Sequence, residues 1–244
     1  MGLLDLFSKD SGAKALKKHA ARVANKRAQA QDRWESIRAL GEMKTPEAVE
    51  ALMVRFTYTV DPSITDQEEK DAAYEGVLAA GEAAVEPLRS FLASSDSIAW
   101  PLKALDRIVT PDRVVGELLA LLSRMDTEYE RDPQKKIQVL SALEERPDPR
   151  AAAAVRPFLE DMNETARFHA VGAMLAQSEH APDEVRGALL EACTREDSTR
   201  VRARILDGFV ERGWRLGDRA EDVRAKLPQG YAVTARGEIK RAAR

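Results

Sequence analysis

The chain has 244 residues, of which 44% are hydrophobic and 32% charged, and its formal net charge is −3. This composition is too apolar for a disordered chain and supplies enough hydrophobic side chains for a folded core. Cys193 is the only cysteine, which excludes an intrachain disulfide and a cysteine-based metal site and fits a cytoplasmic location. The longest apolar runs are far shorter than the roughly 20 residues of a membrane-spanning helix, and we expect no signal peptide.

Charge is segregated along the chain. Residues 1–33 carry 8 basic and 3 acidic side chains, residues 34–194 carry 17 and 30, and residues 195–244 carry 13 and 8. The local net charges are therefore +5, −13 and +5. A linear fold would turn this order into basic ends flanking an acidic middle.

The chain opens with an apolar segment, residues 1–12, which we expect to cap the first repeat or to contact lipid or a partner. Over residues 13–40, apolar side chains recur at steps of three, four and seven, which predicts one amphipathic helix with Trp34 in its buried stripe. The N-terminal part of this helix carries a basic face. Its residues are Lys14, Lys17, Lys18, Arg22 and Lys26.

A turn at Gly41 to Thr45 ends this helix, and Thr45 with Pro46 predicts the N-cap and first residue of the next. Similar turns recur along the chain. Aligned on one apolar position, they give 49, 85, 114, 152, 185 and 223, with steps of 36, 29, 38, 33 and 38. A period near 35 residues with two helical stretches per unit indicates an all-α fold, an α-solenoid of about six antiparallel helix pairs.

The later pairs follow the same pattern of helix, turn and helix. We place them at 66–80 with 82–93, 97–108 with 111–125, 133–145 with 149–160, 164–177 with 181–194, and 198–212 with 219–227. The array thus covers residues 13–227. Residues 228–244 form a basic C-terminal tail or cap, in which Tyr231, Val233 and Ile239 predict two short extended segments or a hairpin. We expect this tail to cap the last repeat in preference to binding a partner.

Two stretches, residues 163–170 and 197–204, resemble the first helix of a HEAT repeat. The resemblance covers nearly the whole chain, from about 34 to 227, and implies a HEAT-like α-solenoid. It also implies that Asn163 or Asp197 caps its helix and that Arg167 or Arg202 bridges to neighbouring repeats. Trp100 and Pro101 depart from the pattern, so we expect that helix to start or bend at Pro101.

The sequence contains no motif for catalysis or cofactor binding. There is no Gly-rich phosphate loop, no Gly-x-Ser-x-Gly and no His-Glu-x-x-His. His19, His169 and His180 have no metal-ligand spacing with one another or with Cys193. We therefore expect no catalytic residue, cofactor or metal site, and a protein that is not an enzyme.

An interaction scaffold is the function that this fold favours, because stacked second helices offer a large binding groove. The predicted buried positions of these helices are Val49, Leu52, Val85, Leu88, Val114, Leu118, Val155, Leu159, Val185 and Leu189. The predicted partner-binding residues are Arg55, Tyr58, Arg89, Arg113, Glu117, Arg124 and Arg156, together with Trp100. The acidic middle favours a protein or peptide partner with a polar or basic surface.

Two alternatives depend on the basic ends. HEAT-like alkylpurine DNA glycosylases show that such a solenoid can cradle DNA, and the C-terminal residues for this role would be Arg202, Arg204, Arg215 and Arg219. The acidic middle disfavours this reading, because it would repel phosphate. The other alternative is weak membrane association through residues 2–27, which combine an apolar segment with a basic helix.

Overall fold

The computed structural model describes the backbone of residues 3–242 and the side chains of residues 11–242. The described chain is mostly helical and ends in a two-stranded hairpin. It divides into two compact units, Met1–Val114 and Val115–Arg244. In the described residues, no helix is long and apolar enough to cross a membrane.

The first unit contains an N-terminal helix, two complete helix pairs, α6 and the first residues of α7. Its helices are α1 (Leu3–Ala24), α2 (Ala30–Met43), α3 (Pro46–Met53), α4 (Ser63–Ala80), α5 (Val85–Ser94), α6 (Ala99–Ile108) and the start of α7 (Pro111–Leu122). The helices α2, α4 and α6 pack side by side as one row, and α3 and α5 form a second row. Ile37, Leu40, Leu52 and Leu88 are completely buried in this unit.

The single helix predicted over residues 13–40 is wrong. The chain leaves the helix after Ala24, turns over residues 25–29, and starts α2 at Ala30, so that α1 packs back against α2 and α3. The Asn25 side chain accepts a hydrogen bond from the Arg27 backbone N–H at 3.0 Å and stabilises this turn. The apolar stripe misled the prediction because its seven-residue step from Val23 to Ala30 spans the break.

The second unit repeats the arrangement and adds the hairpin. Its elements after α7 are α8 (Gln134–Glu144), α9 (Ala151–Val155), α10 (Glu164–Ala176), α11 (Pro182–Arg195), α12 (Thr199–Arg212), α13 (Ala220–Ala225), β1 (Tyr231–Val233) and β2 (Ile239–Arg241). The helices α8, α10 and α12 form the first row, while α11 packs against α13 and against the 3-10 turn that follows α9. Rows of sequential helix pairs are the arrangement of an α-solenoid, and the predicted all-α fold class is confirmed.

Of the two forms predicted for the C-terminal tail, the structure has the hairpin. The strands β1 and β2 pair antiparallel with Val233 opposite Ile239, and Ile239 is only 5% exposed. The Tyr231 hydroxyl donates to the Asp207 carboxylate at 2.7 Å, which ties β1 to α12. Burial, and then this carboxylate, raise the pKa of Tyr231 to about 12. The hairpin packs against α12 and α13 and so covers the last helix pair.

Local signals explain several helix starts. The Thr45 hydroxyl accepts from the Ala48 N–H at 3.3 Å, and Asn163 accepts from two N–H groups of α10, as predicted. Asp197 is not a cap, because the neighbouring Ser198 accepts from the Val201 N–H instead. Pro101 lies in the first turn of α6, where its missing N–H costs no hydrogen bond.

Candidate functional site

All ten apolar positions predicted on the second helices are buried, and the outward prediction holds for part of the charged set. Val49, Val114, Val155 and Val185 are at most 1% exposed. The side chains of Arg89, Arg113, Arg124 and Arg156 are exposed, and that of Glu117 is half-buried. These residues therefore remain candidates for contact with a partner.

Arg55 is a clear error of the sequence analysis, because its side chain is completely buried. It lies in the 3-10 turn Val54–Thr57 that continues α3, and this turn directs it inward. Its guanidinium donates to Glu69 at 2.7 Å and to Asp66 at 2.8 Å. The neighbouring Tyr58 is half-buried, and its hydroxyl donates to the Val23 carbonyl oxygen of α1.

Glu69 is the centre of this buried network in the first unit. It is 1% exposed and also accepts from Arg33, whose Nη2 lies 2.9 Å from Glu69 Oε1. Burial alone would raise the pKa of Asp66, but hydrogen bonds from Lys70, Arg55 and the Val60 N–H lower it to about 2. Such a network joins α2, α3 and α4 and leaves no guanidinium of Arg33 or Arg55 available to a ligand.

The exposed arginines of the second helices form ion pairs at the surface. In the first unit, Arg89 pairs with Glu86 at 2.5 Å and Arg113 with Glu82 at 2.8 Å. In the second unit, Arg195 lies 2.7 Å from Glu160. Exposed pairs of this kind contribute about 0–1 kcal/mol each, so that a partner can replace them at small cost.

Arg156 is a further exposed arginine of the second unit and lies 3.5 Å from Glu191. The side chains of Arg156 and Glu191 are 54% and 43% exposed. Glu191 also pairs with Arg195 at 2.8 Å. The second helices of this unit thus present an alternating acidic and basic surface.

Trp100 is half-buried, and other side chains of the first unit occupy its ring faces. Its centroid lies 4.7 Å from that of Phe56 and 5.8 Å from that of Tyr74. The Lys103 ammonium lies 4.9 Å from its ring. Trp100 therefore contributes mainly to packing between α4 and α6.

Trp34, predicted as core, is instead half-buried and lines a surface pocket of about 420 Å³ with Thr65 and Glu68.

The basic face of the N-terminal region is partly accessible. Lys14, Lys17 and Lys18 on α1 are exposed, and Lys26 lies in the turn after the helix. Arg22 is half-buried and lies 3.4 Å from Asp32. The predicted apolar segment is residues 1–12, and the side chains of its residues 1–10 lie outside the described part of the chain.

A ladder of basic residues connects successive repeats in the second unit, as the HEAT resemblance implies. Arg167 of α10 makes two hydrogen bonds to Glu196, at 2.8 and 2.9 Å, and a third to the Asp161 carbonyl oxygen at 2.9 Å. Lys136 of α8 lies 2.8 Å from Asp161 Oδ2. Burial alone would raise the pKa of Glu196. Hydrogen bonds from the Arg167 side chain and the Ser198 backbone N–H outweigh that effect and lower the pKa below its usual value.

Arg202 holds the equivalent place on α12. It is 8% exposed and donates to the carbonyl oxygens of Glu196 and Lys226. The prediction that Arg202 contacts nucleic-acid phosphate is therefore wrong, because its side chain is buried inside the fold. Arg204 is likewise engaged, since it donates to the Glu144 carboxylate of α8.

Glu144 joins three first helices of the second unit through its two oxygens. One oxygen accepts from Arg204, and the other lies 2.6 Å from His169 Nδ1 of α10. Gly172 makes room for this contact, because a Cβ there would lie 2.5 Å from the Glu144 carboxyl carbon. His169 is therefore part of a packed helix surface, in agreement with the sequence interpretation.

The described residues give no sign of a reactive centre. Burial raises the pKa of the Cys193 thiol to about 11, which leaves it protonated and unreactive near neutral pH. His19 contacts Ser36 at 3.1 Å, and burial, then Lys18 and Arg22, lower its pKa. Among residues 11–242, no group of three or more His, Cys, Asp or Glu side chains is arranged to hold a metal ion.

Sequence reasoning missed one exposed apolar feature of the second unit. Tyr129 is 75% exposed and Met162 is 62% exposed. Met162 lines a pocket of about 350 Å³, whose other walls include Leu159, Ala192 and Asp197. The loop before α8 and the loop before α10 carry these two residues, and no periodic pattern marks either.

The comparisons with known proteins support the repeat assignment. Residues 32–54 match the family model of the PBS lyase HEAT-like repeat. This segment runs from the first turn of α2 to the end of α3, which is one complete helix pair. A search of curated proteins finds no match to the chain.

Proposed function

We propose that this chain of HEAT-like helix pairs is a non-catalytic scaffold that binds another protein through exposed side chains of its second helices. HEAT-like repeats generally mediate protein interactions, and a repeat array offers a long contact surface without a central active site. The observation that carries the proposal is that each unit exposes weakly paired charges on its own second helices. They include Arg89 in the first unit, and Arg156 and Arg195 in the second.

Two classes of charged residue separate binding from folding. Arg33 and Arg55 are buried and satisfied by Glu69, so that replacing them would unfold the first unit before it affected binding. The arginines of the second helices are 45–62% exposed and can exchange their present carboxylates for those of a partner. Because acidic residues alternate with them, the complementary surface is polar and also carries basic groups.

The experiment is affinity purification from the native host with the full chain and paired charge reversals. Arg89→Glu combined with Arg156→Glu should lower recovery of the co-purifying protein, with helicity by circular dichroism unchanged. The matched control is Arg38→Glu with Arg200→Glu, which changes the same charge at exposed positions of the first helices α2 and α12. Equal recovery with both double variants would refute binding through the second helices.

Weak association with an anionic membrane is a second candidate, favoured by the exposed lysines of α1. Lys14, Lys17 and Lys18 lie within two helical turns and can approach a lipid headgroup together. Cosedimentation with vesicles containing phosphatidylserine tests this. Binding should fall for Lys17→Glu with Lys18→Glu in the full chain, and no sedimentation of the unaltered chain would remove the candidate.

A further inference from the structure

Two exposed apolar side chains in the second unit lie at the junction of two loops. Tyr129 belongs to the loop between α7 and α8, and Met162 precedes the N-cap of α10. The Met162 backbone N–H donates to the Thr127 carbonyl oxygen at 2.9 Å. This bond fixes the first loop beside Met162, and the exposed surface of the two loops is here called the Tyr129–Met162 surface.

The buried side chain of Lys136 connects the two loops of this surface. Its side chain is 1% exposed, and its ammonium donates to the Asp126 carbonyl oxygen at 2.8 Å and lies 2.8 Å from Asp161 and 3.4 Å from Glu130. One buried cation thus ties both loops to α8. Because the backbone is already ordered, contact with a partner costs less conformational entropy than contact with a flexible loop would.

A pocket adjoins the exposed apolar groups. It has a volume of about 350 Å³, and Met162, Leu159 and Ala192 supply its apolar wall. That volume accommodates one bulky apolar side chain. Large apolar side chains that insert into a pocket are the typical anchors of protein interfaces.

The surroundings of the pocket are acidic. Its lining includes four carboxylates, of Glu160, Asp161, Glu196 and Asp197, against the two guanidinium groups of Arg167 and Arg195. The loop of residues 126–132 adds four acids and one arginine. Asp197 is 97% exposed and lies 3.9 Å from Lys226. The resulting negative potential attracts cations and repels phosphate.

We propose that the Tyr129–Met162 surface binds a short basic segment of a partner protein. A bulky apolar side chain of that segment enters the pocket beside Met162, and flanking lysines or arginines face the acidic loop. The inference rests on the proposed scaffold function and locates a specific contact for it in the second unit, in a pocket that Arg195 also lines. Charge complementarity excludes nucleic acid and an anionic membrane as occupants, since both would face the same carboxylates.

Synthetic peptides test the chemistry directly. Fluorescence anisotropy with the full chain compares a labelled peptide of alternating lysine and leucine with a lysine–serine peptide and a glutamate–leucine peptide of equal length. The lysine–leucine peptide should bind most tightly, and its affinity should fall as salt rises. Equal binding of the lysine–leucine and lysine–serine peptides would overturn the apolar anchor.

Variants locate the binding site. Tyr129→Ser and Met162→Ser should each weaken lysine–leucine binding by about fivefold or more, as for interface anchors. Ile64→Ser is the matched control, because Ile64 is an exposed apolar residue of the first unit, 66% exposed. An equal loss with Ile64→Ser, or no loss with either test variant, would overturn the proposal.

Charge and self-association provide the remaining tests. Glu128→Lys should weaken binding of the lysine–leucine peptide, whereas Glu179→Lys, a reversal at an exposed position elsewhere in the second unit, should not. A dimer of the unaltered chain in sedimentation that Met162→Ser abolishes would assign the surface to self-association and overturn the proposal.

The scaffold function and this inference can fail separately. If Tyr129→Ser and Met162→Ser leave recovery of the native partner unchanged while the second-helix charge reversals abolish it, the scaffold function stands and this surface is not part of it. If no variant affects recovery and the peptides do not bind, both proposals fail.

Discussion

The substitution Glu69→Gln tests the role of the buried network in the first unit. Glu69 accepts hydrogen bonds from Arg33 and Arg55 at 2.7–3.2 Å, and the two arginines are 4% and 0% exposed. Glutamine preserves the volume but removes the charge that both guanidinium groups share. Since breaking a buried ion pair leaves an uncompensated charge, we expect a loss of about 3–5 kcal/mol in the free energy of unfolding.

Urea denaturation followed by circular dichroism measures this loss. With a urea dependence of about 1–3 kcal/mol per molar, the transition of the first unit should move down by about 1 M or more. The control is Glu86→Gln, whose carboxylate pairs with Arg89 at 2.5 Å but is 71% exposed. It should shift the transition very little, because exposed pairs contribute at most about 1 kcal/mol. Indistinguishable shifts for the two variants would refute the assignment of Glu69 as a structural centre.

Three further substitutions or conditions test the packing and the ionisation states. Gly76→Ala should destabilise the first unit by about 1–3 kcal/mol, because its Cβ would lie 3.0 Å from the backbone Cα of Gly41 and 2.9 Å from Leu52 Cδ1, whereas Gly12→Ala, with open space around its Cβ, should not; equal urea midpoints would contradict this. Folding lowers the pKa of Asp66 from 3.8 to about 2, so its stabilisation is complete above pH 3.8 and is lost as the pH falls toward 2. Asp66→Asn should therefore show a smaller loss of stability over that interval, and a parallel pH profile would be evidence against the ion pairs. Cys193, with its pKa raised to about 11 by burial, should react with a thiol reagent at pH 8 only after denaturation, and rapid labelling of the folded chain would show that the thiol is accessible.

Periodicity predicted the helix pairs because burial of one helix face leaves a regular mark in the sequence. The positions Val49, Val114 and Val185 show this, since each follows a helix-starting proline by three residues and each is buried. The same signal failed at residues 25–29, where a turn happens to preserve the spacing of the apolar stripe. Only the packing of α1 against α2 and α3 reveals the break.

Tertiary contacts determine the positions of the residues that the sequence analysis predicted wrongly or missed. Arg55 follows α3 at a helical position that points outward if the helix continues, but the chain tightens into a 3-10 turn there. Its partners, Asp66 and Glu69, belong to the next helix and have no sequence relation that identifies them. The Tyr129–Met162 surface depends in the same way on one hydrogen bond between two loops.

The HEAT resemblance predicted contacts that periodicity alone could not. It singled out Arg167, which reaches Glu196 at the start of the next repeat. It also singled out Arg202, which has the backbone carbonyl oxygens of Glu196 and Lys226 as partners; in the described residues, α13 is followed by the hairpin. The ladder therefore changes from ion pairs to carbonyl contacts at the last pair.

Hydroxyl-radical footprinting of the full chain, with and without its purified native partner, is the most direct test of binding through exposed side chains. The account predicts that protection on binding is concentrated on the second helices, including α9 and α11, and at Tyr129 and Met162. The side chains of the first helices α8, α10 and α12 should remain as reactive as in the free chain. Protection confined to those first helices, or no protection at all, would contradict the account.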